Sequence, residues 1–275
     1  MVGLESVYAK LDRASFHARE LRRQLSTAVE KDRWAFERDA ISSPGVCSFR
    51  VTKLPPIEPQ WSLILGDFLT NARAALDHLA WQLVLRDGGQ PDRFTQFPIR
   101  ETLVNSKGNP APARIESVTD SSVIRAIEAV QPYASQSPTD SPLFTLNELV
   151  NIDKHHLLLV VAHALKVDGM WWGTNDGDPV PKTRVSTGPI SVGEEVAWFD
   201  FGGSTPPERF DPHLGIEIRL EDGPLTRSVR TTSLLNVVNV IYMHVEHSVL
   251  SKHFADFFGE APRHGASAFG PQLPI

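Results

Sequence analysis

The sequence predicts an α+β protein, in which a bundle of about four long helices carries an antiparallel β-sheet lobe inserted before the last helix. Three observations predict this class. Several long segments repeat apolar residues every three or four positions, as amphipathic helices do. A later segment alternates apolar and polar residues at period two, which is typical of half-buried strands. Strands and helices do not alternate regularly along the chain, which disfavours a doubly wound sheet.

The first helix and the first strand are predicted near the start of the chain. Apolar residues recur at alternating steps of three and four from Leu4 to Ala28, the pattern of a long helix that packs on another helix. The segment CSFRVTKLPP then places Phe49 and Val51 on one face of a short strand. Pro55 ends this strand because proline has no backbone N–H to donate.

Three further helices are predicted before the sheet. The second helix extends from about Pro59 to Leu85, where the glycines and the proline of RDGGQPD end it. Asp120 can cap a short third helix with the sequence SSVIRAIEAV. The next helix begins near Pro142, a residue suited to a first turn, and continues through VNIDKHHLLLVVAHAL to about Lys166.

The pattern changes to strands after Gly169 and returns to helix near the end of the chain. In HLGIEIRLEDG, apolar residues from Leu214 to Leu220 alternate with polar ones, which predicts a half-buried strand. EEVAWFDF and TRSVR are predicted to be its antiparallel neighbours. A last helix from about Thr231 to Phe258 has an apolar side and should return to the bundle.

These elements indicate a single domain over residues 1–275, and the 41% of hydrophobic residues suffices for one large core. Its helical core is predicted to comprise residues 1–166 and 231–258. The β-rich lobe is predicted at about 167–230, and residues 259–275 are expected to form a loose tail.

Composition limits the classes of partner and compartment. The chain shows neither a signal-peptide pattern nor an apolar run long enough to span a bilayer, so no membrane partner is expected. A single cysteine, Cys47, suits a reducing cytoplasm, which is the predicted location. The net charge of −6 argues against broad electrostatic capture of nucleic acid. No phosphate-binding glycine motif is present and no cofactor is predicted.

The second helix carries two groups of polar residues. Asp67, Asn71 and His78 follow the edge of its apolar face, whereas Arg73 and Asp77 lie elsewhere, four residues apart. The simplest interpretation of Arg73 and Asp77 is a solvated ion pair worth a few tenths of a kcal/mol. The edge residues either bond to a neighbouring helix or belong to a site.

Asp153 is the stronger anomaly, because it falls in the middle of the apolar face predicted for the helix to Lys166. An ionised carboxylate in a dry interior needs a cation or several hydrogen-bond donors. The candidate partners are His78, Asn71 and Arg73 on the other helix. The structural interpretation is a buried hydrogen bond without chemistry.

The functional interpretation is a polar pocket that holds His78, Asp153 and either His155 or His156. A histidine beside a carboxylate can act as a general acid or base near neutral pH. The same residue types can bind a divalent metal, although no H-E-x-x-H or C-x-x-C signature is present and no metal ligands are predicted. Asn151 lies four residues before His155 and so shares its helix face.

The segment RAALDH, in which four residues separate Arg73 from His78, resembles the R-x4-6-H motif of the HEPN superfamily. The resemblance implies a metal-independent ribonuclease of a bacterial toxin or defence type. Arg73 would hold the scissile phosphate, and His78 would move the proton of the 2′-hydroxyl. Asn71 and Asp153 are assigned assisting roles. The blocks NIDKHH and ALDHLAWQL also look like segments of uncharacterised bacterial proteins, which implies no activity.

The leading prediction is therefore an RNA-cleaving protein with a HEPN-like helical core, and a homodimer is left open. A second hypothesis is a non-catalytic ligand-binding or protein-interaction module in which the polar cluster is structural. A third is a metal-dependent hydrolase. Beyond the four catalytic candidates, the residues assigned to ligand binding are Asp67, Asn151, His155 and His156.

Overall fold

The computed structural model describes residues 2–31, 34–39, 45–105, 107–171, 180–207, 210–221 and 232–261, with the backbone alone described at 29–31, 163–171, 211 and 213. The described residues form five α-helices, a four-stranded antiparallel sheet and a two-stranded sheet, which confirms the predicted α+β class.

The chain divides into two compact units. The helical unit lies within Met1–Arg23, Pro59–Leu159 and Glu221–Pro274, and the sheet unit within Gln24–Glu58 and Val160–Leu220. The sheet unit thus includes strands from the early part of the chain as well as the region predicted as the β-rich lobe.

The helices of the described chain are α1 (Glu5–Lys31), α2 (Pro59–Arg86), α3 (Ser121–Ala129), α4 (Pro142–Asp153) and α5 (Leu234–Met243). Local chemistry explains where two of them begin. Asp120 accepts a hydrogen bond from the backbone N–H of Ser122 at 2.8 Å, which confirms the predicted cap of α3. Ser233 caps α5 in the same way through the N–H of Asn236 at 3.2 Å.

The last helix changes its geometry along its length. After α5 the chain continues as a π-helix over His244–Phe254 and then as a 3-10 turn over Ala255–Phe258. The N–H of Ala255 donates to the carbonyl of Leu250, the five-residue step that defines a π-helix. The predicted extent of this helix to Phe258 is confirmed.

Helix α2 supplies much of the core of the helical unit. Its predicted apolar face is buried, as the pattern of apolar residues indicated. The buried members are Trp61, Ile64, Leu65, Phe68, Ala72, Ala75, Leu76, Leu79 and Leu83.

The predicted extension of the fourth helix to Lys166 is wrong. Helix α4 ends at Asp153, and residues Val160–Trp171 form strand β3, which pairs antiparallel with a strand that ends at Leu220. A short uninterrupted apolar run fits a buried helix and a buried strand equally well. The hydrogen-bonding partner of β3, far away in the sequence, decides between them.

The remaining strands are β1 (Ala35–Arg38), β2 (Val46–Lys53), β4 (Lys182–Val185), β5 (Glu195–Asp200) and β6 (Asp211–Leu220). The larger sheet has the order β1-β2-β5-β4, and β3 pairs with β6. The prediction that the EEVAWFDF strand neighbours the HLGIEIRLEDG strand is therefore wrong, because β5 pairs with β2 and β4. The predicted TRSVR strand lies outside the described residues.

Aromatic side chains form one core of the sheet unit. Phe49, predicted to share one face of a strand with Val51, packs edge-on against Phe199 of β5 at 5.6 Å between ring centroids. Phe210 contacts both rings, and Cys47 is buried in the same cluster. Within the described ranges, no helix is both long enough and apolar enough to span a membrane.

Candidate functional site

Arg73 and Asp77 form an ion pair that also holds a loop of the helical unit. The Nη2 atom of Arg73 donates to Asp77 Oδ1 at 3.0 Å and to the backbone carbonyl of Phe97 at 2.7 Å. The Phe97 N–H donates to the same Asp77 oxygen at 2.9 Å. The Phe97 ring is fully buried and packs edge-on against Phe254, with centroids 6.0 Å apart. The pair is therefore a clamp on the Phe97 backbone.

The clamp determines where Arg73 points. The predicted ion pair of Arg73 and Asp77 is confirmed, but the Arg73 side chain is only 15% exposed, so the prediction that the pair is solvated is wrong for Arg73. Helix α2 is continuous from Pro59 to Arg86, so Arg73 and His78 are separated by about 140° around its axis. The structure does not bring these two side chains together on one face of α2.

Asp153 is the last residue of α4, and its carboxylate lies against Gly66 of α2. A β-carbon at Gly66 would come within 2.6 Å of both carboxylate oxygens. Burial raises the pKa of Asp153, and the nearby charge of Asp67 raises it further. Among the described residues, no basic side chain lies within ion-pair distance of Asp153.

Asp153 contacts α2 at Gly66, far along the helix from its predicted partner His78. Gly66 and His78 are twelve residues apart, which corresponds to about 18 Å of helix. The helical unit therefore does not join Asp153 and His78 in one pocket. Asn71, another predicted partner, donates from Nδ2 to the carbonyl of Asp67 one turn earlier, at 2.8 Å.

His17 of α1 is a residue of this region that the sequence interpretation missed. Its Nδ1 lies 3.8 Å from Asp67 Oδ2, and its side chain is almost fully buried. Burial lowers the pKa of His17, while the charge of Asp67 acts in the opposite direction. The sequence signal for His17 is its place directly before Ala18, one of the recurring apolar residues between Leu4 and Ala28. His17, Asp67 and Asp153 form a polar cluster contributed by three helices.

The other assigned ligand-binding residues are solvent-exposed. Asn151 is exposed on α4. His155 and His156 follow the end of that helix in an exposed connection, so the prediction that the helix continues through them, with His155 on the face of Asn151, is wrong. His156 Nδ1 lies 3.0 Å from the carbonyl of its own neighbour, Leu157. In the part of the chain that is described, no group of three His, Cys, Asp or Glu side chains could hold a metal ion.

Helix α2 also presents a face of unusual composition opposite its buried side, where Leu63, Thr70 and Trp81 are exposed and Ala74 and His78 are half-buried. Leu63 is 55% exposed and Trp81 is 41% exposed, although both are large and apolar. The residues between them at helical steps of three or four are small or polar. We call this face the α2 stripe, and its members are Leu63, Asp67, Thr70, Ala74, His78 and Trp81.

Comparison with known protein families, with curated proteins and with solved structures finds no match for this chain.

Proposed function

We propose that this protein is a non-catalytic interaction module that binds an amphipathic helix on the α2 stripe. The observation that supports the proposal is the pair of exposed large apolar side chains, Leu63 and Trp81, on one face of a 28-residue helix. Large apolar side chains that share one helix face can act as the two end anchors of a docked helix. A helix that docks on a helix uses anchors at steps of three and four residues.

The middle of the α2 stripe suits a close helix–helix contact. Thr70 and Ala74 are small, and the distance between packed helices depends on the size of the side chains at the contact. Leu63 and Trp81 then supply apolar area at the two ends, about 27 Å apart along the axis. A ligand helix of about 18 residues covers that length.

The contacts of Arg73 favour this function over RNA cleavage. To hold a scissile phosphate, Arg73 would have to leave both Asp77 and the Phe97 carbonyl. Losing those partners would also free the Phe97 segment. The net charge of −6 adds unfavourable long-range electrostatics for RNA. The ribonuclease activity stays a prediction.

The test uses designed helical peptides with Leu at the a and d positions of a heptad repeat, labelled for fluorescence anisotropy. Thr70→Arg places a long charged side chain in the middle of the stripe, where the native residue is exposed. Ala129→Arg, at an exposed position of α3, is the matched control. We expect binding to the wild type and to Ala129→Arg, and affinity at least about tenfold weaker for Thr70→Arg. Equal binding to all three proteins would overturn the proposal, and so would a monomeric wild type that binds none of the peptides.

A further inference from the structure

We infer that the helix bound by the α2 stripe is the α2 stripe of a second copy of this chain, packed antiparallel about a two-fold axis. The axis passes next to α2 at the level midway between Thr70 and Ala74. This inference rests on the proposed function and names its partner. It would make the helical unit one half of a symmetric dimer in which both copies use the same surface.

The sizes of the side chains match across such an axis. Leu63 lies nine residues before the midpoint and Trp81 nine residues after it. In the antiparallel pair, Leu63 therefore faces the partner's Trp81, and this contact occurs twice. Thr70 faces the partner's Ala74, so the two small residues meet where the helices approach most closely.

The polar side chains match as well. Asp67 lies five residues before the midpoint and His78 six residues after it, and both lie on the same edge of the stripe, about 20° apart around the helix. The two-fold axis keeps equivalent edges on the same side. The carboxylate of Asp67 therefore meets the imidazole of the partner's His78, which can donate a hydrogen bond to it. In a parallel pair the equivalent edges would lie on opposite sides of the interface, and Asp67 would not meet the partner's His78.

Phe16 of α1 extends the apolar surface at this edge. It is half exposed, and its ring packs edge-on against His17, which in turn contacts Asp67. The partner's His78 would arrive beside it. Each feature of the α2 stripe has its complement on the stripe itself, and this self-complementarity favours a second copy over an unrelated helix.

The inference is tested by sedimentation equilibrium of the full chain over a range of concentrations. We expect a dimer for the wild type and for Ala129→Arg, and a dissociation constant at least about tenfold higher for Thr70→Arg. Circular dichroism melting of each variant reports whether it is folded. A monomeric wild type at about 100 μM would overturn the inference, and so would a dimer that Thr70→Arg leaves intact.

A charge exchange tests the antiparallel register. His78→Glu alone places a carboxylate opposite the partner's Asp67, and Asp67→Lys alone places an ammonium group opposite the partner's His78. Each change should weaken the dimer about tenfold, and the double variant Asp67→Lys/His78→Glu should restore it. Failure of the double variant to recover would overturn the register.

The peptide assay separates this inference from the proposed function. One outcome is a monomeric wild type that still binds the designed peptides, with weaker binding by Thr70→Arg. That result would overturn the inference that the partner is a second copy and would leave the interaction module in place. A monomer that binds no peptide would overturn both.

Discussion

The carboxylate of Asp153 at the end of α4 lies directly on Gly66 in the first third of α2, where any β-carbon would come within 2.6 Å of both oxygens. The two helices can approach this closely because residue 66 has no side chain. The same contact leaves a carboxylate partly buried beside Asp67, and this raises the pKa of Asp153.

The effect of Gly66→Ala should depend on Asp153. In an unobstructed helix interior this change stabilises by about 1 kcal/mol, because glycine is the poorer helix former. In the wild type we expect this gain to be lost, since the Asp153 carboxylate must move, whereas in an Asp153→Ala background the change should stabilise. Urea unfolding of the four proteins gives the coupling free energy, expected to be at least about 1 kcal/mol. Equal stabilisation in both backgrounds would contradict the contact.

Removal of Asp77 should release the clamp on Phe97. Asp77→Ala leaves the largely buried Arg73 without its carboxylate and the Phe97 N–H without its acceptor. We expect a loss of about 2–3 kcal/mol in the free energy of unfolding, measured by urea denaturation. Asn71→Ala on the same helix is the control and should change it by about 0.5 kcal/mol or less. An equally small effect of Asp77→Ala would show that the clamp contributes little.

Tyr242 should make the protein sensitive to alkaline pH. Burial raises its pKa to about 12, with contributions from Glu246 and Asp12 that outweigh the opposing effects of Ser15 and Arg19. The unfolded chain has a tyrosine pKa of about 10, so the folded state holds the proton more tightly. The stability from this group is complete below about pH 10 and is lost as the pH rises towards 12, by up to about 3 kcal/mol.

The measurement is urea unfolding from pH 9 to 12 for the wild type and for Tyr242→Phe. The difference between the two free energies of unfolding should shift in favour of the phenylalanine variant across that range, because phenylalanine does not ionise. Parallel pH profiles would mean that the folded environment does not hold the phenol in its neutral form.

RNA cleavage should not depend on Arg73 and His78, the two residues of the HEPN-like motif. Because Arg73 is engaged by Asp77 and Phe97, we expect wild type, Arg73→Ala and His78→Ala to show the same background rate on a fluorogenic single-stranded RNA in EDTA. Circular dichroism confirms that each variant is folded before the assay. Cleavage by the wild type that both substitutions abolish would restore the ribonuclease and overturn the non-catalytic proposal.

Local patterns determined a large part of the fold. The apolar spacing on α2 identified the face that is buried, from Trp61 to Leu83, because burial of one side of a helix requires that period. The Asp120 cap and the period-two strand that became β6 are equally local, since each depends on the chemistry of a few neighbouring residues.

Tertiary structure decided what those elements contact. The apolar run after His156 became a strand because β6 offers backbone partners to Val160–Trp171, which local spacing does not register. Arg73 became a clamp because Phe97 reaches it, and Asp153 met Gly66 in place of an imidazole. Periodicity determines which side of an element avoids water, whereas the neighbour that covers that side is selected by contacts between residues far apart in the chain.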